Sequence, residues 1–113
     1  MSRPRCFARW ELPSSVVVMV TAICADYHRR EEEIKHSDIT GEVLARYVEY
    51  NAAVEKALSE IEVGFREDFL ADLAMGRGYA RSRAGVAMSK NAYYRRRHRL
   101  IHDIATALRL YPE

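Results

Sequence analysis

The sequence predicts an all-α protein: an N-terminal helical hairpin, then a short helix, a turn and a long final helix. Three observations carry this. Apolar residues recur at steps of three and four from Val16 to Tyr27, from Leu44 to Ile61 and from Leu100 to Leu108. Residues suited to capping or stopping helices fall between those stretches, at Ser14 and Ser15, at Ser37, Asp38, Thr40 and Gly41, at Gly64, at Gly76 and at Ser89. The composition, 49% hydrophobic and 30% charged over 113 residues, is that of one globular unit with a modest core. We divide the chain into an irregular arm (1–13), a helical hairpin (14–63) and a C-terminal region (64–113), within one compact domain.

The opening "MSRPRCFARWELP" holds two prolines and no apolar period, which predicts an irregular arm with Phe7 and Trp10 laid on the core. The first helix is expected after Pro13, capped by Ser14 or Ser15, with Val16, Val20, Ile23 and Tyr27 as its buried stripe. Glu31, Glu32 and Glu33 lie on its solvated continuation, which ends at "KHSDITG". The second helix is expected from about Thr40 to Glu62. Its positions Leu44, Tyr47, Asn51, Val54, Leu58 and Ile61 form a heptad seam with one polar member, Asn51. Such a seam needs a partner, either the first helix folded antiparallel onto it or a second copy of the chain in which Asn51 meets its symmetry mate.

After Gly64, the residues Phe65, Phe69, Leu70 and Leu73 form the next apolar face, which Gly76 ends. A short helix is expected from about Ala80 to Ala87, then a turn at Met88. A long helix capped by Ser89 runs to about Leu110, its core stripe being Leu100, Ile101, Ile104, Ala105 and Leu108. Tyr93, seven residues before Leu100, is expected in the core. A short helix, a tight turn and a longer capped helix with a basic start is the helix-turn-helix layout.

Charge is divided unevenly along the chain. Residues 77–113 carry nine basic residues against two acidic ones, a net +7, which leaves −5 for residues 1–76 out of a total of +2. Crowding like charges costs stability unless a polyanion neutralises them, and nucleic-acid phosphates are the commonest such partner. A serine-capped helix start also offers backbone amides and the positive end of the helix dipole to a phosphate. Lys90, Asn91 and Tyr94 are therefore expected to face a major groove, since Asn pairs with an adenine edge and Lys donates to guanine acceptors. Arg95, Arg96, Arg97 and Arg99 are expected as phosphate anchors, with Arg77 and Arg81 on the preceding segment adding to the same footprint.

The stretch "GRGYARSRAGVAMSKNAYYRRRHRLI" resembles the helix-turn-helix in the fourth region of sigma factors. "MSKNAYYRRRHRLIHDIATALRL" is more closely similar to the end of the ArpU and RinA group of phage-encoded transcriptional regulators, the likeness running from about Phe65 to Leu110. The resemblance implies a sequence-specific regulator of late phage or prophage genes that binds double-stranded DNA, working beside RNA polymerase at the nucleoid of a bacterial cytoplasm. It places Ser89 on the cap, Met88 on the buried turn position, and Lys90, Asn91, Tyr94 and Arg95 on the contacting start. The chain departs from the sigma-like pattern at Ser82 and Arg83, where an apolar residue and an alanine are usual. Either the first short helix is rotated so that Ala80, Ala84 and Val86 make the support contact, or the motif is degenerate.

Other chemistries are poorly served. Cys24 and His28 are four apart, as are His98 and His102, a spacing that suits a metal, but nothing local brings the two pairs together and no metal site is assigned. No nucleophile elbow or phosphate loop is present, and we expect neither an enzyme nor a cofactor. The ten-residue apolar run Val16–Ala25 is half of the roughly twenty residues that a bilayer requires, so no membrane partner is expected. Two cysteines without a signal segment suggest a reducing cytoplasm. Two rivals to the regulator share these features: a small terminase-like packaging subunit, and an all-helical interaction module with a basic face.

Overall fold

Pro13 has no amide hydrogen to lose and a φ of −57°, so it suits the boundary of a helix, and its carbonyl takes the Val16 and Val17 amides at 3.0 and 3.2 Å. Helix α1 (Ser14–Ala25) therefore starts one residue earlier than a serine cap implies. Ser14 and Ser15 lie in its first turn, and no side chain caps it. The computed structural model describes residues 12–36 and 38–110, and it is all-α. The expected packing of Phe7 and Trp10, and the cap at Ser37, lie outside the described residues.

The first expected helix is broken in two at Asp26, and α2 (Tyr27–His36) continues from there. The break falls where "VVVMVTAICA" gives way to "YHRREEEIKH", and the two halves face different partners. Helix α1 packs on α4 (Arg66–Met75) and on α5 (Lys90–Ala107), whereas α2 pairs with α3 (Gly41–Leu58). The hairpin is thus made by α2 and α3.

Arg30, only 3% exposed, fastens the break. Its Nη2 donates to the Ile23 carbonyl (2.6 Å) and its Nε to Asn51 Oδ1 (2.7 Å), while Asn51 Nδ2 donates to the Tyr27 carbonyl (3.3 Å). The polar member of the α3 seam therefore meets a guanidinium of its own chain. Burying a charged group is tolerable only when its donors are matched in this way.

Helix α3 ends at Leu58, four residues short of the expectation. Ser59 and Arg66 account for the early stop: Ser59 Oγ donates back to the Lys56 carbonyl, and Arg66 takes the carbonyls of Ile61 (2.7 Å) and Ser59 (3.1 Å). A basic side chain on carbonyls left free at a helix C-terminus is a common stop. A 3₁₀ turn (Val63–Phe65) leads into α4, which Gly76 closes in the left-handed region at φ +68°.

One core joins all five α-helices of the described residues. Val20, Val54, Phe69, Leu73, Tyr93, Leu100 and Ile104 are all at most 1% exposed. Leu100, Ile101, Ile104 and Ala105 of the stripe read from the sequence are buried on α5, Leu108 just past its end is half-buried, and Tyr93 is inside as expected. Cys24 sits in the same core, where burial pushes its thiol up to about 12. No helix among the described residues is long and apolar enough to cross a membrane.

The short helix expected from Ala80 to Ala87 does not form. Two 3₁₀ turns, Tyr79–Arg81 and Ala84–Ala87, replace it, split by an extended Ser82. Ser82 is buried, and its hydroxyl accepts from the Ala84 and Gly85 amides (3.1 and 3.3 Å), the local bond by which serine competes with a continuous helix. A Cβ at Gly85 would stand 2.5 Å from the Tyr79 carbonyl oxygen, so only glycine permits this close approach of the two turns. Ala84 is fully buried, as the expected support contact requires, but Ala80 is exposed and Val86 is 90% exposed. Helix α5 ends at Ala107, where Arg109 at φ +56° lets the Leu110 amide reach the Ala105 carbonyl (2.9 Å).

Asn51→Leu strands the Arg30 guanidinium, and we expect it to destabilise the fold by about 2 kcal/mol, read as a lowered urea midpoint at unchanged slope.

Candidate nucleic-acid interface

The start of α5 is built as the sequence suggests. Ser89 is extended, its hydroxyl accepts the Ala92 amide (3.1 Å), and no acidic residue occupies the first turn. Residues 73–102 contain no aspartate or glutamate at all. What the sequence does not reveal is how the eight cations in that interval are shared between solvent and fold.

Three of them are engaged by the fold. Tyr93, fully buried, stacks on Phe69 with ring centroids 5.0 Å apart and donates its hydroxyl to Asp72 Oδ2 at 2.8 Å. Arg97 Nη1 donates both to that phenol oxygen (3.0 Å) and to the Arg77 carbonyl (2.7 Å). Arg77 Nε lies 3.3 Å from Asp72 Oδ1. Burial foremost, and the bond to Asp72 next, push the Tyr93 hydroxyl above its ordinary range. Arg97 and Arg77 thus tie α5 to the end of α4. Arg96 makes a two-pronged pair with Glu62, Nε to Oε1 at 3.0 Å and Nη2 to Oε2 at 2.7 Å.

Arg99 has an intermediate place, 3.6 Å from Glu60 and 3.6 Å from Asp103. Tyr94, expected to face the groove, is half-buried, and its hydroxyl accepts the Tyr79 amide (3.3 Å), clamping the loop to the helix start. Tyr79 answers from the other side, its hydroxyl donating to the Met88 carbonyl (2.9 Å).

The remaining expected residues stay free. Arg81, Lys90, Asn91 and Arg95 are exposed, and their side chains have no hydrogen bond or ion pair among the described residues. Arg83 shares this condition. Read from the sequence as a departure from the motif, it stands instead on the outer side of the loop that wraps the α5 start. The exposed cations without a partner among the described residues are therefore Arg81 and Arg83 on the loop and Lys90 and Arg95 at the start of α5, where Asn91 and the Ser89 cap also lie.

Sequence reasoning missed Asp72, Glu60 and Glu62. Asp72 had a readable signal, since it lies three residues after Phe69 and beside Leu73, on the buried phase of α4. Glu60 and Glu62 had none, because their partners lie more than thirty residues away in sequence and reach them only through the turn after α3. The pairs Cys24 with His28 and His98 with His102 do not converge. Among the described residues no three of His, Cys, Asp and Glu are grouped so as to hold a metal ion. Comparison with protein-family profiles, with curated proteins and with solved structures finds no match to this chain.

Two outcomes test this geometry. Tyr93→Phe leaves the buried Asp72 carboxylate short of a donor and should cost about 1–3 kcal/mol in chemical denaturation. Arg96 holds the Glu62 carboxyl down to about 2 from an ordinary 4.5. The stabilisation from that pair is fully present above the ordinary value and is lost as pH falls through the lowered one. Carboxyl-resolved NMR titration should find Glu62 titrating near the lower value, and Arg96→Ala should return it towards the higher.

Proposed function

We propose that this protein is a sequence-specific regulator of phage or prophage late transcription, binding double-stranded DNA through the start of α5 and the loop that wraps it. The observation that carries the reading is the free cationic surface. Arg81 and Arg83 on the loop and Lys90 and Arg95 at the start of α5 have no acidic partner among the described residues, while Arg77 and Arg97 are engaged inside the fold and Arg96 and Arg99 pair with carboxylates at its surface. A fold that neutralises the cations it needs for itself and leaves these four unpaired, two of them at a helix start, suits a polyanion.

Each residue has a defined part. Lys90 and Asn91, in the first turn of α5, are the base-reading pair. Arg95, one turn further on, takes phosphate on one strand, and Arg81 and Arg83 take it from the loop side. The core stripe of α5, with Tyr93 on Asp72, fixes the angle at which that first turn projects. The support element differs from a helix-turn-helix of two α-helices, since 3₁₀ turns replace the first of the pair. The likeness of residues 65–110 to sigma-like and ArpU/RinA sequences supports RNA polymerase as the protein partner. A dimer through α3 would not pair Asn51 with its symmetry mate, because Asn51 is held inside the chain by Arg30.

Fluorescence anisotropy on labelled duplexes tests the reading. Arg83→Ala with Arg95→Ala should weaken binding on every sequence and flatten the dependence of log affinity on log salt by about two units, since each lost phosphate contact removes about one. Asn91→Ala should instead narrow the difference between preferred and random sequences. Wild-type binding that does not depend on salt would refute the proposal.

A further inference from the structure

Arg96 and Arg99 are not spent in the way that Arg97 and Arg77 are. Arg97 points inward onto a buried phenol and a backbone carbonyl, but the Arg96–Glu62 and Arg99–Glu60 pairs lie at the surface, with Glu62 52% and Glu60 55% exposed. The two carboxylates come from one short stretch, the turn after α3. A cleft of about 240 Å³ between that turn and α5 is lined by Glu60, Glu62, Arg95, Arg96 and Arg99 together with Asp103. The paired arginines therefore continue, without a gap, from the free Arg95.

We propose that Arg96 and Arg99 form a latent second phosphate site, masked by Glu60 and Glu62 acting as built-in phosphate mimics. The proposal rests on the DNA-binding reading of α5 and adds a limit on its affinity. Glu62 grips Arg96 with two oxygens, the planar fork that a phosphate would use, while Glu60 stands 3.6 Å from Arg99 as a looser charge partner. An ion pair in water contributes little net stability, so a phosphate strand can displace it, but it sets a toll on every non-specific encounter. The low position of the Glu62 carboxyl, held there by Arg96, means that the mask stays ionised at neutral pH. Binding through Arg95 alone leaves the mask in place. Only a site that brings a phosphate to the cleft exchanges Glu60 and Glu62 for DNA, so the mask favours well-seated complexes over random ones.

The test uses the full chain and a fluorescein-labelled random-sequence duplex, titrated between roughly 50 and 200 mM salt. Glu60→Gln with Glu62→Gln keeps the size of both side chains and removes their charge. It should bind roughly tenfold more tightly at the low-salt end, with a salt dependence steeper by about one to two units, a full unit for Arg96 and less for Arg99, beside which Asp103 remains. Adding Arg96→Ala and Arg99→Ala should abolish both changes. The single variants Glu60→Gln and Glu62→Gln should each show part of the gain. Thermal melting confirms that the exposed substitutions leave the fold intact.

A wild type that binds, with a Gln variant that binds no better, removes the mask and leaves the DNA reading standing. A gain that survives loss of both arginines also removes it, because the effect is then one of general charge. If neither wild type nor the Gln variant binds duplex at any salt, the DNA reading falls and the mask with it.

Discussion

The hydrogen bond from Tyr93 to Asp72, buried with no solvent access at either end, is the constraint on which the C-terminal half depends. A carboxylate removed from water must find donors or be expelled, and here the donor is the residue that anchors the first turns of α5. Around that bond the stacked Phe69, the bridging Arg97 and the nearby Arg77 close a knot between the end of α4 and the start of α5. The loop between them has little helix of its own. Tyr79 and Tyr94 can clamp it to α5 because the knot has already brought its two ends together.

The same knot divides the arginines. The five cations between Lys90 and Arg99 could not all face outward from a helix that is buried along one side. Position on the helix decides which guanidinium meets a carbonyl, which meets a carboxylate and which meets water. Arg97 lies four residues after Tyr93 and so follows it inward, while Arg95 lies two after it and points away. Charge crowding at this end is thereby relieved in part by the acidic first half of the molecule, through Glu60 and Glu62, without being cancelled at the helix start.

A second buried polar contact, Arg30 on Asn51 and on the Ile23 carbonyl, has the matching role in the N-terminal half. It lets an apolar segment and a charged one, contiguous in sequence, bend at Asp26 and serve two different neighbours. Both halves thus rely on a buried polar pair to settle a direction that apolar packing alone leaves loose, since burial rewards area and is indifferent to angle.

By itself the sequence determined the class, the helical stripes, the stop at Gly76, the cap at Ser89 and the burial of Tyr93, because each of these is set by spacing and chemistry within a few residues. Phe69, Leu73, Leu100 and Ile104 were legible for the same reason. Tertiary structure alone decided the break at Asp26, the replacement of a short helix by two 3₁₀ turns, and the allotment of arginines between fold and surface. Those outcomes turn on partners far away along the chain: Asn51 for Arg30, Asp72 for Tyr93, Glu62 for Arg96. Local periodicity says which side of a helix is wet, but only the packed chain says which charge stands across from it.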